Sequence, residues 1–137
     1  MRFMMLMLPA SQCGAPPDAR PSAEAVERMM RFNKLMQEAG VLLALDGLHP
    51  PSAGARVSLV DGKVRVADGP FAETKEVVGG YWMIDVGSRD EAIAWASRCP
   101  LAAGDTIEVR QVFEMADFPV DVQKAAEGFQ DPRQSAA

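Results

Sequence analysis

His49 is the single histidine of the chain. An imidazole with an ordinary pKa near 6.5 can give or take a proton close to neutrality. It stands in Asp46-Gly47-Leu48-His49-Pro50-Pro51, three residues after a carboxylate. General acid–base work on a small molecule is one reading, and a solvated histidine ahead of a Pro-Pro turn is the other. Asp68 opens the segment Asp68-Gly69-Pro70-Phe71. An Asp at the first turn position accepts backbone N–H bonds, a Gly relieves backbone strain and a Pro presets φ. Phe71 is expected to anchor the loop in the core. The same carboxylate could orient His49 or take a proton itself, so His49 and Asp68 are the candidate catalytic residues. Glu73, Lys75 and Glu76 follow, either as a solvated run of mixed charge or as the mouth of a cleft in which Lys75 meets an anion. Tyr81 and Trp82 are adjacent on a strand and so face opposite ways. One fills the core, and the other is available to stack on a ligand. Glu73, Lys75 and Tyr81 are the candidate ligand-binding residues.

Other chemistries lack their residues. There is no phosphate-cradling glycine loop of either common kind and no GxSxG elbow. With one histidine and no cysteine cluster, no zinc site is expected. No cofactor is inferred. Cys13 and Cys99 are the only cysteines. Neither has metal spacing, and a buried free thiol at Cys99 with a reducing cytoplasm fits them. The nine methionines concentrate in the first strand and helix, where gap-filling accounts for them.

The elements that must hold these residues follow from pattern. Residues 2–8 are an apolar strand. Their one basic residue and short greasy run imitate a signal peptide, but Pro9 ends the run early. A Pro-, Gly- and Ala-rich loop covers residues 9–21. Ser22 is an N-cap, and the helix it opens runs to about Ala39 with Ala25, Met29, Phe32, Met36 and Ala39 as its buried stripe. Gly40 stops it. Val41–Leu45 is a strand. Arg56–Val60 and Lys63–Val66 alternate around Asp61-Gly62, which predicts a hairpin. A strand Tyr81–Val86 precedes the capping box Ser88-Arg89-Asp90-Glu91. That box opens a helix carrying Ala92, Ala96 and Cys99, which Pro100 ends. Thr106–Glu114 is the last strand, with Ile107, Val109 and Phe113 on one face. A short helix is expected near Val120–Glu127, followed by a polar end.

The order β-α-β-(hairpin)-β-α-β predicts an α+β, ferredoxin-like βαββαβ fold with an inserted β-hairpin. At 137 residues and a net charge of −5 this is one domain with no basic surface for nucleic acid. No segment approaches the roughly 20 apolar residues of a membrane-spanning helix. An antiparallel sheet covered on one side should alternate apolar and polar residues. Phe3–Leu8, Val41–Leu45 and Tyr81–Ile84 are apolar on successive residues instead, and two helices cover only one face. A second copy of the sheet packed about a two-fold axis covers the other, which predicts a homodimer. A fold-back of the C-terminal tail is the competing cover.

Asp68-Gly69-Pro70-Phe71-Ala72-Glu73-Thr74-Lys75-Glu76 with Gly79-Gly80-Tyr81 resembles the signature of the DGPF, or YCII-related, family. Gly47-Leu48-His49-Pro50-Pro51 and Glu91-Ala92 are similar to it as well. The resemblance covers residues 1–114 and sets 115–137 apart as a C-terminal extension. It implies a dimeric α–β barrel similar to muconolactone isomerase. It also implies a His/Asp pair in a cleft, although the position of the histidine varies in the family and the resemblance assigns no role to His49. Some relatives are linked to sigma-factor-like regulators.

Three functions remain open. A small cofactor-independent enzyme would move protons with His49 and Asp68 on a small metabolite. A ligand-binding or regulatory module would use the same pocket without chemistry. A structural adaptor would have no pocket.

Overall fold

The computed structural model describes residues 1–71, 76–129 and 131–132. Its strands are β1 (Arg2–Leu8), β2 (Leu42–Gly47), β3 (Ala55–Val60), β4 (Lys63–Asp68), β5 (Gly80–Asp85) and β6 (Thr106–Gln111). The helices are α1 (Ala23–Glu38), α2 (Arg89–Ser97) and α3 (Val120–Ala125). The fold is mixed α+β. Four strands form an antiparallel sheet in the order β2-β5-β1-β6, and β3 and β4 form a separate two-stranded ribbon.

The helices start where the sequence caps them. Ser22 Oγ accepts from Ala25 N, and Ser88 Oγ accepts from Glu91 N, each at 3.1 Å. Glu91 does not close the reciprocal box. Its carboxylate accepts instead from Gly87 N at 2.9 Å, one residue before the cap. The ribbon turns at Asp61 (φ 51°) and Gly62 (φ 75°), the left-handed pair that a two-residue hairpin loop needs. Both strands of the ribbon are longer than the alternation suggested, and β4 runs on to Asp68.

Helices α1 and α2 pack on one face of the sheet. Phe3, Met5, Trp82 and Ile84 meet Phe32 and Met36 of α1 and Ala92 and Ala96 of α2 in one buried cluster. Register puts them there: Phe3 pairs with Ile84, and Met5 with Trp82. Trp82 meets Phe32 edge-on, with ring centroids 5.6 Å apart. Each such aromatic pair adds about 0.5–1.5 kcal/mol to its area burial. Ala39 of the expected stripe is exposed, because it is already the C-cap. Phe113 also departs from expectation: β6 ends at Gln111, so its parity is lost. Phe113 stays 71% exposed and stacks on Phe118 at 4.8 Å.

The opposite face carries Met4, Leu43, Ala44, Tyr81 and Met83. A bulge between Leu42 and Ala44 leaves Leu43 half-exposed there. Asp131 reaches the Arg2 corner of this face, so the described end of the chain touches its margin. The ribbon leaves Val57, Leu59, Val64 and Val66, paired across its strands, all about 70% exposed. No helix among the described residues is long and apolar enough to cross a membrane.

Candidate functional site

The chemistry-bearing residues gather where β2 ends and β5 begins. Gly47 pairs with Gly80, and Asp46 with Tyr81. Glycine at 80 is required by contact, because a Cβ there would stand 2.8 Å from Asp46 O. That close approach lets Tyr81 Oη donate to Asp46 Oδ2 at 2.8 Å across the strands. The bond favours the neutral phenol, and Tyr81 is held above its ordinary pKa, first by this bond and then by desolvation.

The chain after β2 is pinned by its backbone. Leu48 N donates to Gly79 O at 2.8 Å, and Gln12 Nε2 donates to Leu48 O at 3.3 Å. Pro50 is buried, while His49 beside it is exposed. Asp68 is the last residue of β4, exposed and paired with Ala55. The next residue explains why the turn needs its glycine. A Cβ on Gly69 would fall 1.9 Å from Pro51 O, and Gly69 N donates to Gly54 O at 2.9 Å. The Asp68-Gly69-Pro70 turn therefore lies backbone-to-backbone against the loop that carries His49. The side chains of His49 and Asp68 themselves share no hydrogen bond or ion pair among the described residues. Phe71 is half-buried under the Arg56 guanidinium, 4.0 Å from its ring centroid, rather than in the core. Glu73 and Lys75 lie outside the described residues.

Two cavities flank the Tyr81 strand. The first, about 270 Å³, opens between the N-terminal half of α1 and the ends of β1, β2 and β5. Ala25, Val26, Met29 and Met30 form its helical wall, and Met7, Leu45 and Trp82 its sheet wall. The second, about 750 Å³, is shallower and lies on the opposite sheet face, floored by Met4, Ala44 and Met83 and rimmed by Arg2, Asp85, Glu114 and Asp131. On that rim Arg2 holds Glu114 bidentately at 2.5 and 2.9 Å. The guanidinium keeps the Glu114 carboxyl below its ordinary pKa. Neither His49 nor Asp68 lines either cavity.

Two polar residues escaped the sequence reading. Gln12 Oε1 is buried with no hydrogen-bond partner among the described residues, and nothing in its loop sequence marks it. Asn33 is 8% exposed and lines the first cavity. Its signal was available, since position 33 flanks the apolar stripe between Phe32 and Met36. No cluster of three or more metal-ligating side chains occurs among the described residues.

The family model of the YCII-related domain matches residues 1–116. The chain belongs to the YCII-related family. Within the curated proteins it is similar to the uncharacterized protein R00369 of Rhizobium meliloti (strain 1021), 43% identical over 79 residues. That match takes in 55% of this chain and 64% of the relative, so it spans less than two thirds of the relative's length. The YCII-related match contains both loops and the whole lining of the cavity beneath α1, while Asp131 on the rim of the second cavity lies beyond it.

Proposed function

We propose that this YCII-related protein is a homodimeric small-ligand-binding module of ferredoxin-like, dimeric α–β barrel architecture. The observation that carries the binding role is the apolar cavity beneath α1, which His49 and Asp68 do not line. The strand order β2-β5-β1-β6, with the ribbon inserted between β2 and β5, supports the ferredoxin-like reading. The half-covered sheet face and the bare ribbon face support a second copy, since monomers seldom leave such contiguous apolar area wet. The family match ending at residue 116 supports treating 115–137 as an extension. The buried thiol of Cys99 supports a reducing cytoplasm.

A thermal-shift screen of small metabolites, with mass spectrometry on each hit, tests the binding role. Ligand-dependent stabilisation without conversion is the expected result, and a converted product would replace it with the enzyme reading. That second reading rests on Gly69 packing on Pro51, which draws the Asp68 turn to the His49 loop. In it, His49 and Asp68 transfer protons on a small molecule, with Glu73, Lys75 and Tyr81 as the candidate ligand-binding residues.

A further inference from the structure

The cavity beneath α1 contains one polar side chain whose bonding is incomplete. Asn33 Oδ1 accepts from Trp82 Nε1 at 2.7 Å in the core. An indole N–H only donates, so this contact fixes the amide orientation and turns Nδ2 away from the tryptophan. Nδ2 carries two hydrogens. Its one polar neighbour among the described residues is Met30 Sδ at 3.7 Å, and a thioether is a weak acceptor. A donor is thus left over on a residue only 8% exposed that lines the cavity. A buried donor without a full partner is costly, and a ligand oxygen would satisfy it.

The walls narrow the chemistry. Around Asn33 they are Ala25, Val26, Met29, Leu45 and Trp82, with no charged side chain among them. The Asp46 carboxylate at the rim is already engaged by Tyr81 Oη. An ion entering here would lose its hydration without a counter-charge. The volume, about 270 Å³, lies just below the usual range of small-molecule sites, about 300–1,000 Å³. The methionines of the wall can reshape around a ligand.

We propose that this cavity binds a small, uncharged, mainly apolar molecule that places a single acceptor oxygen on Asn33 Nδ2. The proposal rests on the ligand-binding reading above and specifies its ligand class.

Three matched probes test it: acetophenone, ethylbenzene without the oxygen, and benzoate with a charge. Binding is read by 15N NMR at the Trp82 indole and the Asn33 side-chain amide. Acetophenone is expected to shift both resonances and to bind at least tenfold more tightly than ethylbenzene, with benzoate silent. Ala25→Phe, which fills the cavity without touching the Asn33–Trp82 bond, is expected to abolish acetophenone binding while the indole resonance stays in place. Equal binding of acetophenone and ethylbenzene would overturn the Asn33 assignment. Preference for benzoate, or binding that survives Ala25→Phe, would overturn the proposed site and ligand class while leaving the protein a ligand binder. Silence from all three probes together with an empty metabolite screen would overturn both.

Discussion

Asn33 and Trp82 form a side-chain hydrogen bond at 2.7 Å between α1 and β5, inside the apolar core. It joins the helix to the sheet directly above the cavity and is buried on both sides. Its removal should be asymmetric. Asn33→Leu leaves the Trp82 N–H buried without an acceptor, at a cost of about 1–3 kcal/mol. Adding Trp82→Phe removes the orphaned donor as well, so the double variant should lose less than the sum of the two single losses. Urea unfolding of the four proteins checks this, and additive losses would show that the bond contributes no coupling.

The Asp68 turn makes a sharper prediction. Gly69→Ala would bring a Cβ to 1.9 Å from Pro51 O, a backbone atom that cannot swing aside. Gly54→Ala places its Cβ at 3.4 Å from the same oxygen, an ordinary contact. Gly69→Ala is expected to destabilise by more than about 2 kcal/mol or to push the two loops apart, and Gly54→Ala to cost well under that. Thermal melts of the pair, with the His49 ring protons followed by NMR, separate the two. An unperturbed Gly69→Ala protein would mean the loops do not pack in this way.

What the sequence reveals divides along physical lines. The elements that bury a stripe or turn on Asp-Gly were legible: α1 from Phe32 and Met36, the ribbon from Asp61-Gly62, and the two-sided greasiness of β1 and β5 from Met4, Met5 and Met83. Elements whose ends depend on pairing partners were less so. β6 ends at Gln111, where its register with β1 runs out at Phe3 apart from one more bond from Val112 N to Arg2 O, and Phe113 lies beyond that ladder and stays exposed. The site was legible only as residue types. Spacing points to His49 and Asp68, but their side chains stay exposed and unjoined, because the contact between their loops is made by the Gly69 and Pro51 backbones. Asn33 was missed because a polar residue beside a helical stripe reads as a boundary unless its partner, 49 residues away, is known.

Arg2 and Glu114 tie the first strand to the segment after the last one. The pairing lowers the Glu114 pKa in the folded protein. A carboxyl whose folded value is depressed adds stability above its unfolded value and loses that addition as the pH falls through the folded value. Glu114→Gln should therefore be less stable than the parent protein near neutrality. The difference should close on acidification below the ordinary carboxylate range, and high salt should reduce it. A pH series of denaturant midpoints measures both trends.

Cys99 should be nearly inert. Burial, with the nearby Asp105 charge second, raises its thiol from 9.0 to about 11. Cys13 is exposed on its loop. At pH 8 a thiol reagent should modify one cysteine per chain promptly, and Cys13→Ser should remove that fast phase. The raised value also carries a stability signature. The neutral Cys99 thiol contributes fully below about pH 9 and loses its contribution as the pH rises toward 11, so Cys99→Ala should flatten the alkaline limb of the stability curve.

The sheet face opposite the helices should determine the oligomeric state. Met83 sits mid-strand on that face beside Met4 and Ala44. If a second copy covers it, Met83→Arg buries a charge at the centre of the interface without a partner, and association should weaken by several kcal/mol. Met83 is only half-buried within one chain, so the same substitution should leave the isolated fold intact, with an unchanged circular dichroism spectrum. Sedimentation of the parent chain at micromolar concentration is expected to show a particle of twice 14.8 kDa, and that of Met83→Arg a single chain. A parent protein that sediments as one chain would leave the tail, already at the Arg2 corner through Asp131, as the cover for this face.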